Sequence, residues 1–303
     1  MTETTEASVP IRQMSLELRR ASLPRRRRLT DLIAIIAIFL SVAVAVTPIA
    51  LVTVYLVKQG AGVMSWAFLT SDIPRQAQTV GGGIGPAIVG TMVSVGFASV
   101  LAVPLGILGA VYLAEYGKQR PLARLIRTMA DIMTGVPSIM MGLFIYVGFV
   151  LVTHNLNAFS AALALACLML PLIIRTAEEM LNLVPDDLRQ AGLALGLRKW
   201  KTITSIVLPT AISGITSGAL LAIARAAGET APIYLVIGLI YRPNWSLFGP
   251  NTSLPAQIFK NAQEPFLPAN ERAWGAALTL VVIVFIFTVV GRFLANRFST
   301  LEH

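Results

Sequence analysis

The sequence predicts an all-α membrane protein with six transmembrane helices and both termini in the cytoplasm. Three observations predict it. Hydrophobic residues make up 55% of the 303 and charged ones only 13%, against about 25% charged in a soluble domain. Six apolar stretches approach the roughly 20 residues that a helix needs to cross a bilayer. The basic residues lie between those stretches, and they are unevenly shared between the two sides.

The stretches fall at about Leu32–Val57, Pro86–Leu113, Met129–Thr153, Ala158–Ile174, Pro209–Tyr241 and Trp274–Phe293. The first is too long for the apolar core of a signal peptide, and no clear cleavage site follows it. Pro48, Pro104, Pro137 and Pro171 lie inside spans and are expected to kink them. The fourth stretch is short. The fifth is too long for one simple span, and Gly228 and Pro232 interrupt it. The loops around Lys58–Gly85 and Arg242–Ala273 are long and rich in Gly, Pro, Asn and Gln, and they read as extracytoplasmic structure.

Lysine and arginine set the orientation. One side carries eighteen of them and the other five, and Arg225, inside the fifth stretch, completes the 24. The positive-inside rule puts the richer side in the cytoplasm. The chain then divides into a cytoplasmic tail (1–30), a transmembrane domain (31–295) with a cytoplasmic loop at about 175–209, and a second cytoplasmic tail (296–303). The net charge of +9 therefore reads as topology beside anionic lipid. The run Arg25–Arg28, beside the first span, reads as a topology anchor and not as a nucleic-acid site, so no nucleic-acid partner is expected.

Other functions are disfavoured by what the chain lacks. Cys167 stands alone, and His154 and His303 have no metal-ligand spacing, so neither a disulfide nor a metal cluster is expected. There is no G-x-x-x-x-G-K-[ST] phosphate loop, no HExxH, no G-x-S-x-G and no pair of carboxylates at one depth in the spans. The chain is expected not to be an enzyme and to bind no cofactor of its own. No internal repeat points to a self-sufficient secondary transporter.

Two segments carry positive signals. In the cytoplasmic loop, VPDDLRQAGLALGLRKWKTITSIVLP, Pro185 with Asp186 and Asp187 reads as a helix start. Leu188, Ala191 and Leu195 recur at helical spacing, and Gly196 suits a left-handed helix end. A second helical piece is expected from near Trp200 to Pro209. The result is a short helix–turn–helix with an exposed apolar stripe, either lying on the membrane or docking a cytoplasmic partner. In the fifth stretch, LAIARAAGETAP places Arg225 and Glu229 within a span. A charge there costs about 2.5–3.5 kcal/mol on insertion scales, so both are expected to face the bundle interior or a water-filled path. They stand four apart and share a helix face. One reading is a mutually neutralising structural pair. The other is that Arg225 meets an oxyanion, with Thr230 adding a hydroxyl and Gly228 permitting close helix approach. Asp131 reads as a helix-start acid.

The loop QAGLALGLRKWKTITSIVLP resembles the EAA loop of ABC-importer permeases: Glu-Ala-Ala, three residues, Gly, nine residues, Ile-x-Leu-Pro. Gln190 stands for the usual Glu and Gly192 for the second Ala, while Ala191, Gly196, Ile206, Leu208 and Pro209 keep the spacing. GGGIGPAIVGTMVSV, AVPLGILGAVYLAEY, DIMTGVPSIMMGLF, LPLIIRTAEE and ARAAGETAP are similar to the phosphate-specific ABC permeases, and the last two favour the A-type (PstA) subunits. The resemblance implies a type I ABC-importer permease fold in the bacterial cell membrane. It implies docking on an ATPase subunit through Gln190, Ala191, Gly192, Leu195 and Gly196, and translocation through Arg225, Glu229 and Thr230. The implied partners are a C-type permease, two copies of a cytoplasmic ATPase that binds ATP and Mg, and an external phosphate-binding protein. Glu229 then has two possible roles. It either holds Arg225 between passages, or accepts a hydrogen bond from protonated phosphate and so rejects sulfate. A permease for sulfate or molybdate, and a secondary transporter or channel, remain the alternatives.

Overall fold

The computed structural model describes residues 25–117 and 120–299. Most of the expected N-terminal tail, and the end of the C-terminal one, lie outside these residues. Every regular element among them is a helix. The chain divides between Tyr55 and Leu56 into two compact units. Helix α1 (Arg25–Ala61) is one 37-residue helix with Pro48 inside it. The short α2 (Trp66–Thr70) is capped by Ser65, whose side chain accepts the Phe68 N–H. Helix α3 (Gly85–Val111) starts with a proline in its first turn and widens into a π turn at Tyr112–Tyr116.

The third expected span is the first departure. Helix α4 (Pro121–Gly135) stops, and α5 (Ser138–Ile145), extended by a π turn at Tyr146–Val150 and a last turn at Leu151–Thr153, sets off at 107° to it. Pro137 disfavours helix at the residue before it, and Val136 is extended (φ −74°, ψ 134°). Glycine at 135 weakens the last turn further. At Pro48, Pro104 and Pro171 the helix runs on. Among the described residues, five helices are long and apolar enough to cross a membrane, or six if α4 and α5 count as one bent span. Asp131 sits near the end of α4 and not at a helix start.

Helix α6 (Ala158–Asn182) is longer than its apolar stretch, because it carries Arg175, Glu178 and Glu179 within its last turns. Helices α7 (Asp186–Ala194) and α8 (Lys199–Thr202) follow, joined through Gly196. Here lies a second departure: α8 does not end as a separate piece. It passes through a π turn at Ile203–Val207 into α9 (Leu208–Ala227), so the loop hairpin and the fifth span are continuous. Pro209 lacks an N–H and crowds the turn before it, and the wider π turn gives it room. Helix α10 (Ala231–Val236) restarts after a break at Gly228–Thr230. Pro232 opens this helix, where its missing N–H costs little, instead of interrupting one. Helices α11 (Leu254–Ala262) and α12 (Leu267–Ser299) complete the chain.

Small residues make the packing possible. Ala98, Ala102 and Ala110 of α3, and Ala161, Ala164 and Leu165 of α6, have no exposed surface. Gly106 of α3 lies against Ile173, and Gly218 of α9 against Thr176. Among lipid chains that are as apolar as leucine, close backbone approach is what holds helices together. The main apolar core joins α3, α5, α6, α9 and α10. At the end remote from the α7–α8 hairpin, chain segments fold over the helices. Ile73 N–H bonds Tyr241 O at 3.0 Å, and Leu254 N–H bonds Thr91 Oγ1 at 2.8 Å. Arg272, buried, donates to the carbonyls of Ala77, Thr79 and Gly81.

Candidate functional site

Arg225 lies in the last turn of α9, which ends at Ala227: Gly228 caps it, and its N–H turns back to Arg225 O at 3.1 Å. Glu229 lies just past that end. The two side chains form a loose ion pair, Nε to Oε1 at 3.7 Å. They therefore meet across the end of a helix and not along one face of it. Arg225 is 69% exposed and Glu229 18%. A charge-assisted hydrogen bond is nearer 2.7–2.9 Å, so the pair is held by proximity more than by fixed geometry.

The pair opens on a cavity of about 220 Å³. Its opposite wall is the break in the α4–α5 pair: Thr134, Val136, Pro137 and Ser138. Leu168, Met169 and Leu172 of α6 form an apolar side. Two helix breaks thus face one hollow. Ser138 begins α5; Met140 N–H is taken by Pro137 O at 2.9 Å, while the N–H groups of Ser138 and Ile139 precede the helix ladder. They bring partial positive charge to the wall opposite Arg225. Backbones, not side chains, set the spacing between the two breaks. A Cβ on Gly142 of α5 would stand 2.5 Å from Pro232 Cα and 2.7 Å from its carbonyl oxygen. Gly142 is the glycine of close approach. Gly228, expected in that role, has only its own turn's Arg225 O nearby.

Thr230 is not part of this hollow. It lines a separate groove with Ile139, Tyr234, Leu235 and Phe259. Thr134 and Ser138 are the hydroxyls beside the pair. Sequence reading missed them, although Gly-Val-Pro-Ser at 135–138 carries a legible helix-break signal.

Below the hollow, α4 and α6 are joined by charge. Arg175 donates from Nε to Asp131 Oδ1 at 2.8 Å, and from a second nitrogen to the same oxygen. It also reaches Glu178 at 3.4 Å. Arg127 donates to Glu178 Oε1 at 2.6 Å and to Leu113 O at 2.9 Å. Arg127 and Arg175 read as loop charges in the sequence, but they are partners of carboxylates up to 51 residues away.

In the hairpin, Gln190, Ala191, Leu195 and Gly196 are exposed. Gly192 is buried: a Cβ there would stand 2.8 Å from Thr202 and 3.0 Å from Ile206. So Gly192 lets α7 approach the start of the fifth span, and it presents nothing outward. Gly196 has φ +79°, the left-handed turn that its position suggests. Leu188, Ala191 and Leu195 of the expected stripe are exposed, as are Leu193 and Trp200.

Comparison with known proteins now decides the family. The model of the binding-protein-dependent transport system inner membrane component matches residues 102–300. The chain belongs to this permease family. The phosphate transport system permease protein PstA 1 of Mycobacterium tuberculosis (strain CDC 1551 / Oshkosh) is 41% identical over 282 residues, spanning 90% of this chain and 91% of the relative. The PstA protein of Yersinia pestis is 42% identical over 238 residues, 78% and 80% respectively. A chain of the MetNI methionine ABC transporter, solved in an inward-facing conformation, matches with a TM-score of 0.57 at 20% identity over 71% of this chain and 94% of that one. The latter likeness concerns fold alone. The permease is thus a multi-pass protein of the bacterial plasma membrane, built on the ABC-importer permease fold.

Proposed function

We propose that this permease is a transmembrane subunit of an ATP-driven inorganic phosphate importer and forms half of its pathway. One observation carries the chemistry: Arg225, closed only by a 3.7 Å contact to Glu229, faces a hollow walled by two helix breaks. A planar guanidinium donates paired hydrogen bonds that match an oxyanion, and the first turn of α5 adds N–H groups. The pair is long at 3.7 Å and open to solvent on the Arg225 side, so it holds weakly and an arriving anion can replace Glu229 at small cost. The site is weak by this reasoning, as a pathway must release what it admits. The phosphate-transport names of relatives at 41–42% identity support phosphate over sulfate or molybdate.

The reading continues with six spans and both termini in the cytoplasm, the tails at 1–30 and 296–303, and the hairpin of the loop 175–209 docking an ATPase. Gln190, Ala191, Leu195 and Gly196 meet that subunit, while Gly192 keeps the two helices together. The partners are a C-type permease, two ATPase copies that bind ATP and Mg, and an external phosphate-binding protein. This chain binds no cofactor and hydrolyses nothing. Glu229 holds Arg225 between passages, and Thr230 shapes the turn after it, away from the anion. The test is uptake of labelled phosphate, sulfate and arsenate by the reconstituted complex. Sulfate uptake equal to phosphate uptake overturns the assignment.

A further inference from the structure

Beneath the hairpin lies a contact that the transport reading does not use. Glu115, in the π turn that ends α3, is 8% exposed. Its Oε1 accepts from Arg189 Nε of α7 at 2.9 Å. The rest of that guanidinium is occupied at the end of α6. It donates to Leu181 O at 2.7 Å, to Val184 O at 2.6 Å and to Asp186 at 3.0 Å. These carbonyls lie at and just past the end of α6, where the helix ladder runs out; Val184 N–H reaches Leu181 O with a long 3.4 Å bond. Lys199 of α8 reaches the same glutamate from the other arm of the hairpin. It donates to Glu115 O, and its ammonium stands 4.7 Å from the Tyr116 ring centre. Both helices flanking Gly196 are therefore tied to a single residue of the second span, while the hairpin's outer face stays exposed.

We propose that Glu115 is a positioning residue for energy coupling, through which movement of the hairpin is passed to α3 as well as to α9. The inference rests on the reading of the hairpin as the ATPase dock. Direct continuity through the Ile203–Val207 π turn carries motion into the fifth span only. α3 has no covalent route to the hairpin shorter than the whole of α4 to α6, so its response needs a contact. The Arg189 and Lys199 ties are the charged contacts positioned to provide it. A buried charge pair is directional and costly to break singly, so it transmits displacement where an apolar patch would slide. α3 in turn packs along α6 through Gly106 and Gly109 against Ile173 and Ile174, and α6 walls the hollow at Arg225.

The experiment uses the complete reconstituted complex and reads phosphate taken up per ATP hydrolysed, alongside co-purification of the ATPase subunits. Glu115→Gln and Arg189→Gln are each expected to keep the ATPase bound and to lower the uptake ratio about tenfold, within the usual range of coupling between sites. The double variant is expected to lose no more than either single, because the two act through one contact. An unchanged ratio, losses that multiply in the double variant, or release of the ATPase by Glu115→Gln would overturn the proposal. Should Arg189→Gln fail to accumulate, Lys199→Met removes the second tie and reads the same ratio, and no change there overturns it too. Leu195→Asp, on the exposed face, is the control: it is expected to release the ATPase. Normal binding and coupling in Leu195→Asp would refute the docking reading itself, whereas normal coupling in the Glu115 variant alone refutes only this inference.

Discussion

Replacing Arg225 with leucine separates folding from transport. The ion pair it removes is 3.7 Å long, and Arg225 is 69% exposed, so the lost attraction is worth about 0–1 kcal/mol. Against that, a charge within a span costs about 2.5–3.5 kcal/mol to insert. Arg225→Leu is therefore expected to reach the membrane at no less than the wild-type level. Transport is another matter. Two charge-assisted hydrogen bonds to a passing oxyanion are worth about 1.5–3 kcal/mol each. Losing both, about 3–6 kcal/mol, slows passage by roughly 10²- to 10⁴-fold. The N–H groups at the start of α5 stay in place and leave a residual rate. Arg225→Lys keeps the charge but loses the planar fork, and it is expected to fall between. The assay is initial uptake of labelled phosphate by proteoliposomes holding the whole complex, normalised to permease content. Uptake by Arg225→Leu within about threefold of wild type, less than 1 kcal/mol, would show that the arginine is a structural partner and that no anion leans on it.

Glu229→Gln, measured as phosphate uptake in excess sulfate, is expected to change rate or basal leak and leave selectivity intact, because the loose pair is a resting contact; weakened rejection of sulfate would show the carboxylate reading phosphate's proton instead. Gly196→Val puts a β-branched residue at φ +79°, a conformation it strongly resists, and is expected to release the ATPase or to leave it hydrolysing ATP without uptake, seen by co-purification and uptake per ATP. Gly142→Ala drives a methyl into the Pro232 backbone and is expected to destabilise by about 1–3 kcal/mol. Gly148→Ala, where a Cβ meets nothing within 4 Å, is expected to stay within about 0.5 kcal/mol; comparing their thermal unfolding in detergent tests whether that crossing is fixed by contact.

What could be read from the chain alone follows from which interactions leave a local trace. The spans were legible because every lipid-facing turn must be apolar, and Gly196 because a left-handed turn selects glycine within a few residues. Arg225 and Glu229 stood out because a charge in an apolar run has a cost that some environment must offset. The break at Gly228 was visible, but its geometry was not: an i,i+4 spacing implies a shared face only while the helix lasts, and it ends at Ala227. The third span was misread as one kinked helix, because hydropathy averages over Val136–Pro137 while the backbone does not. Charge pairing was the least legible of all. Arg127, Arg175 and Arg189 count equally toward topology, yet each finds a carboxylate 44 to 74 residues away. Those carboxylates, Glu178, Asp131 and Glu115, lie in helix ends or a π turn whose side-chain directions depend on how neighbouring helices pack. A positive-inside count treats such arginines as interchangeable, but packing does not. Arg189 is placed by the carbonyls of Leu181 and Val184, and it is that local capping need, in a segment ending Asn-Leu-Val-Pro, that brings its Nε within reach of Glu115.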